Sequence, residues 1–160
     1  MADMFHIVLH NPVIPQNTGS IARLCAGTGA ALHLIHPLGF DTSAAAVKRA
    51  GLDYWPHVDI REHASWGTFL ETEQPQHLYF FSKFSTRPYS QATFQTPAYL
   101  VFGNETKGLP AEIRTTYPKD FFLIPIRTDL VRSLNLAQCA AITVFEAMRQ
   151  HQFAGLSTPR

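Results

Sequence analysis

Three groups of polar residues in this sequence each follow an apolar run that is typical of a buried strand. Asn17–Ser20 and Arg23 come after the first run, Gly103–Gly108 after a central one, and Arg127–Asn135 after the last. Loops carried on a rigid scaffold are where binding and catalytic residues concentrate. These three segments are therefore the candidates for a functional site.

The stretch Phe121–Leu136 is the most informative of the three. An apolar run breaks at Pro125, passes through a polar segment with arginines, and opens into a long apolar helix. Ser133 and Asn135 lie where that helix begins, so they either cap it or face a ligand together with free backbone N–H groups. Both roles can hold at once.

Gly103 follows its strand directly, which allows two interpretations. A glycine at that point permits close approach of a ligand to the backbone, or it serves only a tight turn. The sequence leaves both open.

Several common chemistries are not supported by the motifs. Gly27-Thr-Gly29 lies between a helix and a strand, the reverse of the order that a dinucleotide-binding loop requires, and is expected to end a helix. There is no P-loop and no nucleophile elbow. No Cys or His pair has zinc spacing, and His33 and His36 are expected on opposite faces of one strand, so no metal is expected.

The composition is that of a globular protein with few charges. Hydrophobic residues make up 46% and charged residues 16%, with a net charge of +1. So few charges on a large surface hint at self-association. Cys25 and Cys139 are expected to be buried free thiols in a reducing compartment. No apolar run is long enough for a membrane span, and a soluble, cytoplasmic protein is expected.

Strands alternate with helices along the chain, which predicts an α/β fold with a mainly parallel sheet in one domain, residues 1–160. The final helix is apolar on more than one face, which indicates burial by its own domain or by a partner subunit. Strands are predicted at 5–9, 32–36, 58–60, 78–82, 99–102 and 121–124, with a further short strand near 92–94; helices are predicted from a cap within 17–20 to 27–29, and at 44–50, 65–73, 110–116 and 134–151.

The quoted segments resemble the three motifs of the SPOUT superfamily. They read Asn11-Pro-x-Ile-Pro-x-Asn-Thr-Gly19 with Arg23, then Phe102-Gly-Asn-Glu-Thr-Lys-Gly-Leu-Pro110, then Ile124-Pro125 with Ser133-x-Asn135-Leu136. More narrowly, the chain is similar to the TrmL-type tRNA (cytidine/uridine-2′-O)-methyltransferases, which act at the wobble position. The resemblance covers nearly the whole chain.

The resemblance implies a deep trefoil knot at the C-terminal end and pairing of two subunits through the knotted region. It also implies S-adenosylmethionine as cofactor, held largely by main-chain groups. The cofactor contacts that it implies fall at Phe81, Gly103, Ile124, Ser133 and Leu134.

For the reaction, the resemblance assigns Arg23 to the reacting ribose and its phosphate. Asn135 is expected to orient the hydroxyl, and Glu105 to brace the loops around the cofactor. A guanidinium scarcely deprotonates, so Arg23 is a poor general base. The expected substrate is the anticodon stem-loop of a tRNA, in particular of a leucine tRNA. Phosphate contacts are expected from Lys48, Arg49, Lys107, Arg127 and Arg132 in addition to Arg23.

Some positions depart from the family pattern. Phe145 stands where a tyrosine is common, Ala137-Gln138 replaces Ser-Asn, and Lys83-Phe84 replaces Lys-Gly. These changes leave two alternatives open: a 2′-O-methyltransferase of another tRNA or rRNA site, and a non-catalytic RNA-binding protein of the same fold.

Overall fold

Six parallel strands form the centre of the molecule in a computed structural model that describes residues 3–49 and 53–157. The strands lie in the order β3-β2-β1-β5-β4-β6. Their bounds are β1 Phe5–His10, β2 Ala31–Ile35, β3 Ile60–His63, β4 His77–Phe81, β5 Ala98–Phe102 and β6 Phe121–Phe122.

Within the described residues, five α-helices and two short 3-10 helices accompany the sheet. The α-helices are α1 Pro15–Thr28, α2 Ala44–Arg49, α3 Trp66–Glu73, α4 Ala111–Thr116 and α5 Leu136–Gln150, and the 3-10 helices are Trp55–His57 and Tyr89–Gln91. Helices α1 and α5 pack on one face of the sheet, in a core that contains Ile7, Leu100 and Val144. The other face is covered by α3 and α4 through Phe69 and Ile113.

Strands β1 and β5 are buried along their whole length because they lie in the middle of the sheet with helices on both faces. A parallel strand covered on both faces needs apolar residues at nearly every position, which explains why these runs do not alternate. The register pairs Ile7 with Leu32 on one side and with Leu100 on the other.

The first helix begins earlier than the sequence predicted. Pro15 occupies its first turn, where the missing N–H costs nothing, and Ile14 is the N-cap without a side-chain bond. Asn17, Thr18 and Gly19 are therefore buried within the helix and do not cap it. The helix also runs through Gly27 and ends at Gly29, which has φ +79°.

Several other boundaries were wrong. Strand β3 lies at Ile60–His63 and not at 58–60, β6 ends at Phe122, and residues 92–94 form no strand. The last helix begins at Leu136, with Asn135 as its N-cap. The predicted end of α2 at Ala50 and Gly51 lies outside the described residues.

Both cysteines are free, with Cys25 buried and Cys139 partly buried in the core beneath α1 and α5. Burial raises the pKa of Cys25 to about 12 and raises that of Cys139 as well. Both side chains therefore stay thiols at neutral pH. Among the described residues, no helix combines the length and apolarity that crossing a bilayer requires.

Candidate active site

Three loops lie at the carboxyl edge of the sheet. They are the β1 loop (residues 11–14), the β5 loop (residues 103–110) and the β6 loop (residues 123–135). The strand order reverses between β1 and β5, because β2 and β3 extend to one side and β4 and β6 to the other. Ligands of parallel sheets bind at such a reversal point, outside the carboxyl ends of the strands.

The side chain of Glu105 joins the β5 loop to the β1 loop. Its Oε2 accepts a hydrogen bond from the backbone N–H of Val13 at 2.9 Å, and its Oε1 accepts from Ile14 N at 3.2 Å. Oε1 also faces the amide Nδ2 of Asn17 at 3.4 Å. One carboxylate therefore binds the free N–H groups before α1, where negative charge is favoured. These contacts support the bracing role that the sequence predicted for Glu105.

Asn17 continues this connection to the β6 loop. Its Oδ1 accepts a hydrogen bond from Asn135 Nδ2 at 2.9 Å, and Asn135 Oδ1 in turn accepts from Ala137 N at 2.8 Å as the N-cap of α5. Glu105, Asn17 and Asn135 thus form one chain of hydrogen bonds across the three loops. One hydrogen of the Asn135 amide remains to meet a ligand.

Asn104 fixes the shape of the β5 loop. Its Nδ2 donates to the carbonyl of Asn11 at 2.8 Å, and its Oδ1 accepts from the backbone N–H groups of Thr106 and Lys107. The loop closes through paired backbone bonds between Asn104 and Gly108. The β5 loop is therefore rigid and attached to the β1 loop at two points.

Position 103 needs a glycine because its own loop passes close by, and not because a ligand approaches the backbone there. A Cβ there would overlap the backbone of Gly108 and Leu109, with the Gly108 Cα at 2.7 Å. The space beside Gly103 is filled by the backbone of residues 108 and 109 of the same loop. Of the two interpretations left open by the sequence, the structure supports the tight turn, and the cofactor contact at Gly103 stays a prediction.

The loop after β2 also supports the site. Gly39 N donates to the carbonyl of Pro12 at 2.9 Å, and a Cβ at Gly39 would come within 2.6 Å of the Val13 Cα. The β1 loop is thus held from one side by Gly39 and from the other by Glu105. Nothing in the sequence indicates this support, because Gly39 and Val13 are brought together only by the fold.

Arg23 lies on the exposed side of α1, two turns after its start. Within the described part of the chain, its side chain makes no hydrogen bond or ion pair. The guanidinium is therefore available to an external anion, which a structural arginine would not be.

The predicted cofactor residues differ in what they offer. The Phe81 ring is 8% exposed and stacks on Phe102 at 5.1 Å, so only its main chain can serve a ligand. Ile124 and Leu134 are half-buried, and Ser133 is exposed. The backbone N–H groups of these three residues donate no hydrogen bond to any part of the chain that the structure describes. Together these residues offer apolar side chains and unpaired main-chain donors, which are the two kinds of group that a nucleoside site requires.

The predicted RNA contacts are not equivalent. Lys107 and Arg132 are exposed. Arg127 is exposed but already pairs with Asp129, at 2.6 Å, which reduces its attraction for phosphate. The side chains of Lys48 and Arg49 lie outside the described residues.

One cationic, aromatic patch was missed by the sequence reasoning. Phe84 is 68% exposed, and both Lys83 Nζ and the Arg114 guanidinium lie 5.3 Å from its ring centre. The patch borders a groove of about 290 Å³ that also contains Ser82 and Arg87. The signal was present as Lys83-Phe84, but Arg114 is thirty positions away in sequence and could not have been associated with it.

A larger cavity of about 770 Å³ lies at the amino ends of β4, β5 and β6, away from the three loops. It is lined by Gln74–Tyr79, which lead into β4, and by Thr93, Gln95, Tyr117 and Asp120 among others. These residues belong to none of the three loops. We assign the functional site to the loops, because the hydrogen bonds of Glu105, Asn104 and Asn135 and the unpaired backbone N–H groups occur there.

Comparison with known proteins relates the chain to RNA methyltransferases. The sequence profile of the SpoU rRNA Methylase family matches residues 4–145. A tRNA (cytidine(34)-2′-O)-methyltransferase of Burkholderia cenocepacia is 44% identical over 155 residues, which cover 95% of this chain and 99% of the relative.

Two solved structures show the same fold. One, from work on the 2′-OH methylation of C/U34 on tRNA, has a TM-score of 0.86 and 44% identity, and the match covers 95% of this chain and 99% of that one. The other is an AdoMet-bound rRNA methyltransferase from Sinorhizobium meliloti. It has a TM-score of 0.79 and 25% identity, and the match covers 91% of this chain and 56% of that longer one.

Proposed function

The chain belongs to the SpoU methylase family, and we propose that it transfers a methyl group from S-adenosylmethionine to the ribose 2′-hydroxyl of nucleotide 34 of a tRNA. The observation that carries this proposal is the hydrogen-bonded chain Glu105–Asn17–Asn135, which connects the three loops. Arg23, on the same helix as Asn17, has no side-chain partner among the described residues. The Burkholderia cenocepacia relative, which matches along its whole length, bears the name of this activity.

The cofactor fits the residues at the β6 loop. The unpaired N–H groups of Ile124, Ser133 and Leu134 match the acceptors of an adenine ring and a ribose, while the half-buried side chains of Ile124 and Leu134 supply apolar walls. When bound, S-adenosylmethionine supplies an activated methyl group on a sulfonium. The chain itself needs only to align and orient the acceptor hydroxyl.

Arg23 then binds the phosphate next to the reacting ribose. An exposed guanidinium without a protein partner makes paired hydrogen bonds to phosphate oxygens, which fix the position of the nucleotide. It does not remove the proton, because a guanidinium stays charged at neutral pH.

Asn135 orients the hydroxyl with the amide hydrogen that its two protein contacts leave free. Glu105 acts as a positioning residue, since its two oxygens already accept bonds from Val13, Ile14 and Asn17. It holds the loops and does not reach the substrate.

For the substrate, we propose the anticodon stem-loop of a tRNA, in particular of leucine tRNAs. Lys107 and Arg132 are exposed at the same edge as the three loops and are suited to phosphate contacts. Lys48, Arg49 and Arg127 remain predicted contacts of the same kind.

We also propose a homodimer that works in the cytoplasm. Three large apolar side chains of the β1 and β6 loops are exposed, namely Ile14, Leu130 and Val131, with Leu130 at 85%. A single subunit would present these side chains to water beside the site, and a second copy would cover them.

The proposed trefoil knot is supported by the long segment between β4 and β5. Its residues 87–89 bond with Leu123 after β6, and its residues 92–94 bond with Gln150 and His151 at the end of α5. The segment therefore bonds to the start of the β6 loop and to the far end of α5, as a loop through which the chain from β6 to α5 threads would do.

The test is a methyl-transfer assay with tritiated S-adenosylmethionine and total tRNA from a strain that lacks the enzyme. We expect one label per tRNA, mapped to the 2′-oxygen of nucleotide 34 in leucine isoacceptors. Label at another ribose would show that the enzyme methylates a different nucleotide and would reject nucleotide 34 as its target. Measurable cofactor binding without any label on tRNA or rRNA would leave a non-catalytic RNA-binding protein as the function.

A further inference from the structure

Three histidines meet beneath α3, on the face of the sheet opposite α1 and α5. His6 lies on β1, His33 on β2 and His63 on β3, and each is at most 5% exposed. Glu73, the last residue of α3, lies beside them with a side chain that is 9% exposed. Buried polar groups of this number need a reason, because desolvating them costs free energy.

The ligand atoms of this cluster have the separations of a metal site. His33 Nδ1 and His63 Nε2 are 3.0 Å apart, and Glu73 Oε1 is 3.9 Å from each of them. A point between the three atoms lies about 2 Å from all of them, which is the usual distance from zinc to imidazole nitrogen and carboxylate oxygen. The three atoms come from β2, β3 and α3, so no spacing rule along the sequence reveals them.

The hydrogen bonds of His6 determine which nitrogen of His33 carries its proton. His6 Nε2 is 3.1 Å from the carbonyl of Asp3, and a carbonyl oxygen only accepts, so Nε2 carries the proton of a neutral His6. His6 Nδ1 is then an acceptor, and His33 Nε2 must donate to it, at 2.9 Å. The lone pair of His33 therefore lies on Nδ1 and points at His63 and Glu73.

This arrangement is typical of a metal ligand. A ligating histidine donates its other N–H to an oriented acceptor, which fixes the tautomer and increases the basicity of the ring. The hydrogen bonds of His6 already require a neutral His33 whose Nδ1 carries no proton. Neutral imidazole is the form that binds a cation.

The charges around the cluster call for a cation as well. Arg61 pairs with Glu73 Oε2 at 2.9 Å, with Asp59 at 2.7 Å and with Asp3 at 3.4 Å. One guanidinium thus faces three carboxylates, which leaves two negative charges in excess. Because Arg61 binds Oε2, the other oxygen of Glu73 is left facing the two histidines.

We propose that His33, His63 and Glu73 bind one divalent ion of the zinc class, with His6 as the residue that orients His33. Two coordination bonds replace the hydrogen bond between His33 and His63, and the proton of His63 moves to its Nδ1, so binding needs no net change in protonation. A water molecule completes the coordination. The ion joins β2, β3 and α3 at one edge of the sheet, and the role is structural and independent of methyl transfer.

The test uses the full chain without a histidine tag, stripped with a chelator and titrated with Zn²⁺ or Co²⁺. We expect one bound ion per chain by elemental mass spectrometry, visible absorption bands of low-coordinate Co²⁺, and a rise in Tm with Zn²⁺. His63→Gln and Glu73→Gln should each weaken binding at least about 10-fold. His6→Phe should weaken it about 10-fold through loss of orientation.

The matched control is the exposed pair His36–Glu62, whose Nε2–Oε1 distance is 2.9 Å. His36→Gln removes a histidine directly after β2, the strand that carries His33. It should leave the stoichiometry and the affinity of metal binding unchanged. The proposal is overturned by a wild-type chain that binds less than one ion, by a Glu73→Gln variant with unchanged affinity, or by an equal loss in His36→Gln. Glu73→Gln decides the matter if His63→Gln does not fold. None of these three outcomes depends on methyl-transfer activity.

Discussion

Arg23 is an exposed cation with no protein partner in the described part of the chain, and this separates its role from those of the loop residues. Replacing it by alanine removes the proposed phosphate contact and leaves the proposed cofactor residues unchanged. We expect Arg23→Ala to lower kcat/KM for tRNA about 100-fold or more, with the Kd of S-adenosylmethionine within about 2-fold of wild type.

Transfer assays and calorimetry would measure the two quantities. Lys119→Ala, at an exposed lysine outside the three loops, is the control and should retain activity. A large loss of cofactor affinity in Arg23→Ala would show that this arginine belongs to the cofactor site.

Glu105 shows the opposite pattern, because it holds loops and does not reach the substrate. Glu105→Gln keeps the size of the side chain but turns an NH₂ group toward donors at Val13 or Ile14. The loss of charge-assisted bonds to partly buried N–H groups costs about 1–3 kcal/mol. We expect cofactor affinity and kcat to fall together, about 10-fold or more.

Calorimetry on Glu105→Gln would be compared with Glu112→Gln, an exposed glutamate of α4. Wild-type cofactor affinity in Glu105→Gln would mean that the β1 and β5 loops keep their positions without this carboxylate.

At the scale of the elements, two glycines should respond differently to substitution, because Gly103 lies in a tight loop and Gly27 lies in a helix. A Cβ at Gly103 overlaps the backbone of Gly108 and Leu109, whereas a Cβ at Gly27 in α1 meets nothing within 4 Å. Gly103→Ala should therefore lower the free energy of unfolding by about 1–3 kcal/mol. Gly27→Ala should raise it by about 0.5–1 kcal/mol through helix propensity.

Denaturation in urea would measure both changes, and cofactor binding should weaken only in Gly103→Ala. Equal stability of the two variants would mean that the β5 loop opens to accept a methyl group, contrary to the contacts described.

The elements also show how far sequence reasoning reaches. Runs such as Ala98–Phe102 predicted their strands because a strand buried on both faces is apolar throughout. The start of α1 was missed because Asn17 and Thr18 resemble caps, while the side-chain contacts of Asn17 come from residues about ninety to one hundred and twenty positions away. The motifs located the three loops, but the connection through Asn17 depends on tertiary structure.

The histidines beneath α3, which we propose as part of a metal site, show the same limit of sequence reasoning. Sequence spacing indicated no metal, because spacing rules apply to ligands on one helix, hairpin or loop. His33 and His63 are brought together by the register of β2 and β3, in which Ile35 pairs with His63. Only the paired strands place these side chains side by side.

For the whole molecule, Gln150 connects the end of α5 to the segment between β4 and β5. Its Oε1 accepts from Phe94 N and its Nε2 donates to the carbonyl of Ala92, both at 2.9 Å. Gln150→Ala leaves two partly buried backbone groups unpaired, at a cost of about 1–3 kcal/mol. We expect faster hydrogen exchange at Phe94 N and a lower urea midpoint.

Gln138→Ala, at an exposed position of α5, is the control and should change neither quantity. Unchanged exchange at Phe94 in Gln150→Ala would show that His151, which bonds to the carbonyl of Phe94, is sufficient to hold the segment.

The position of α5 has a consequence for how the molecule is made. This helix packs against β1, β5 and α1, yet it follows all six strands in the chain. During synthesis the central strands emerge from the ribosome before α5, so the apolar face that α5 covers stays exposed until this helix has been translated. Pairing of distant segments is slow, and exposed apolar strands aggregate. Nascent chains of this protein are therefore expected to depend on chaperones, and their yield on the rate at which the last helix is translated.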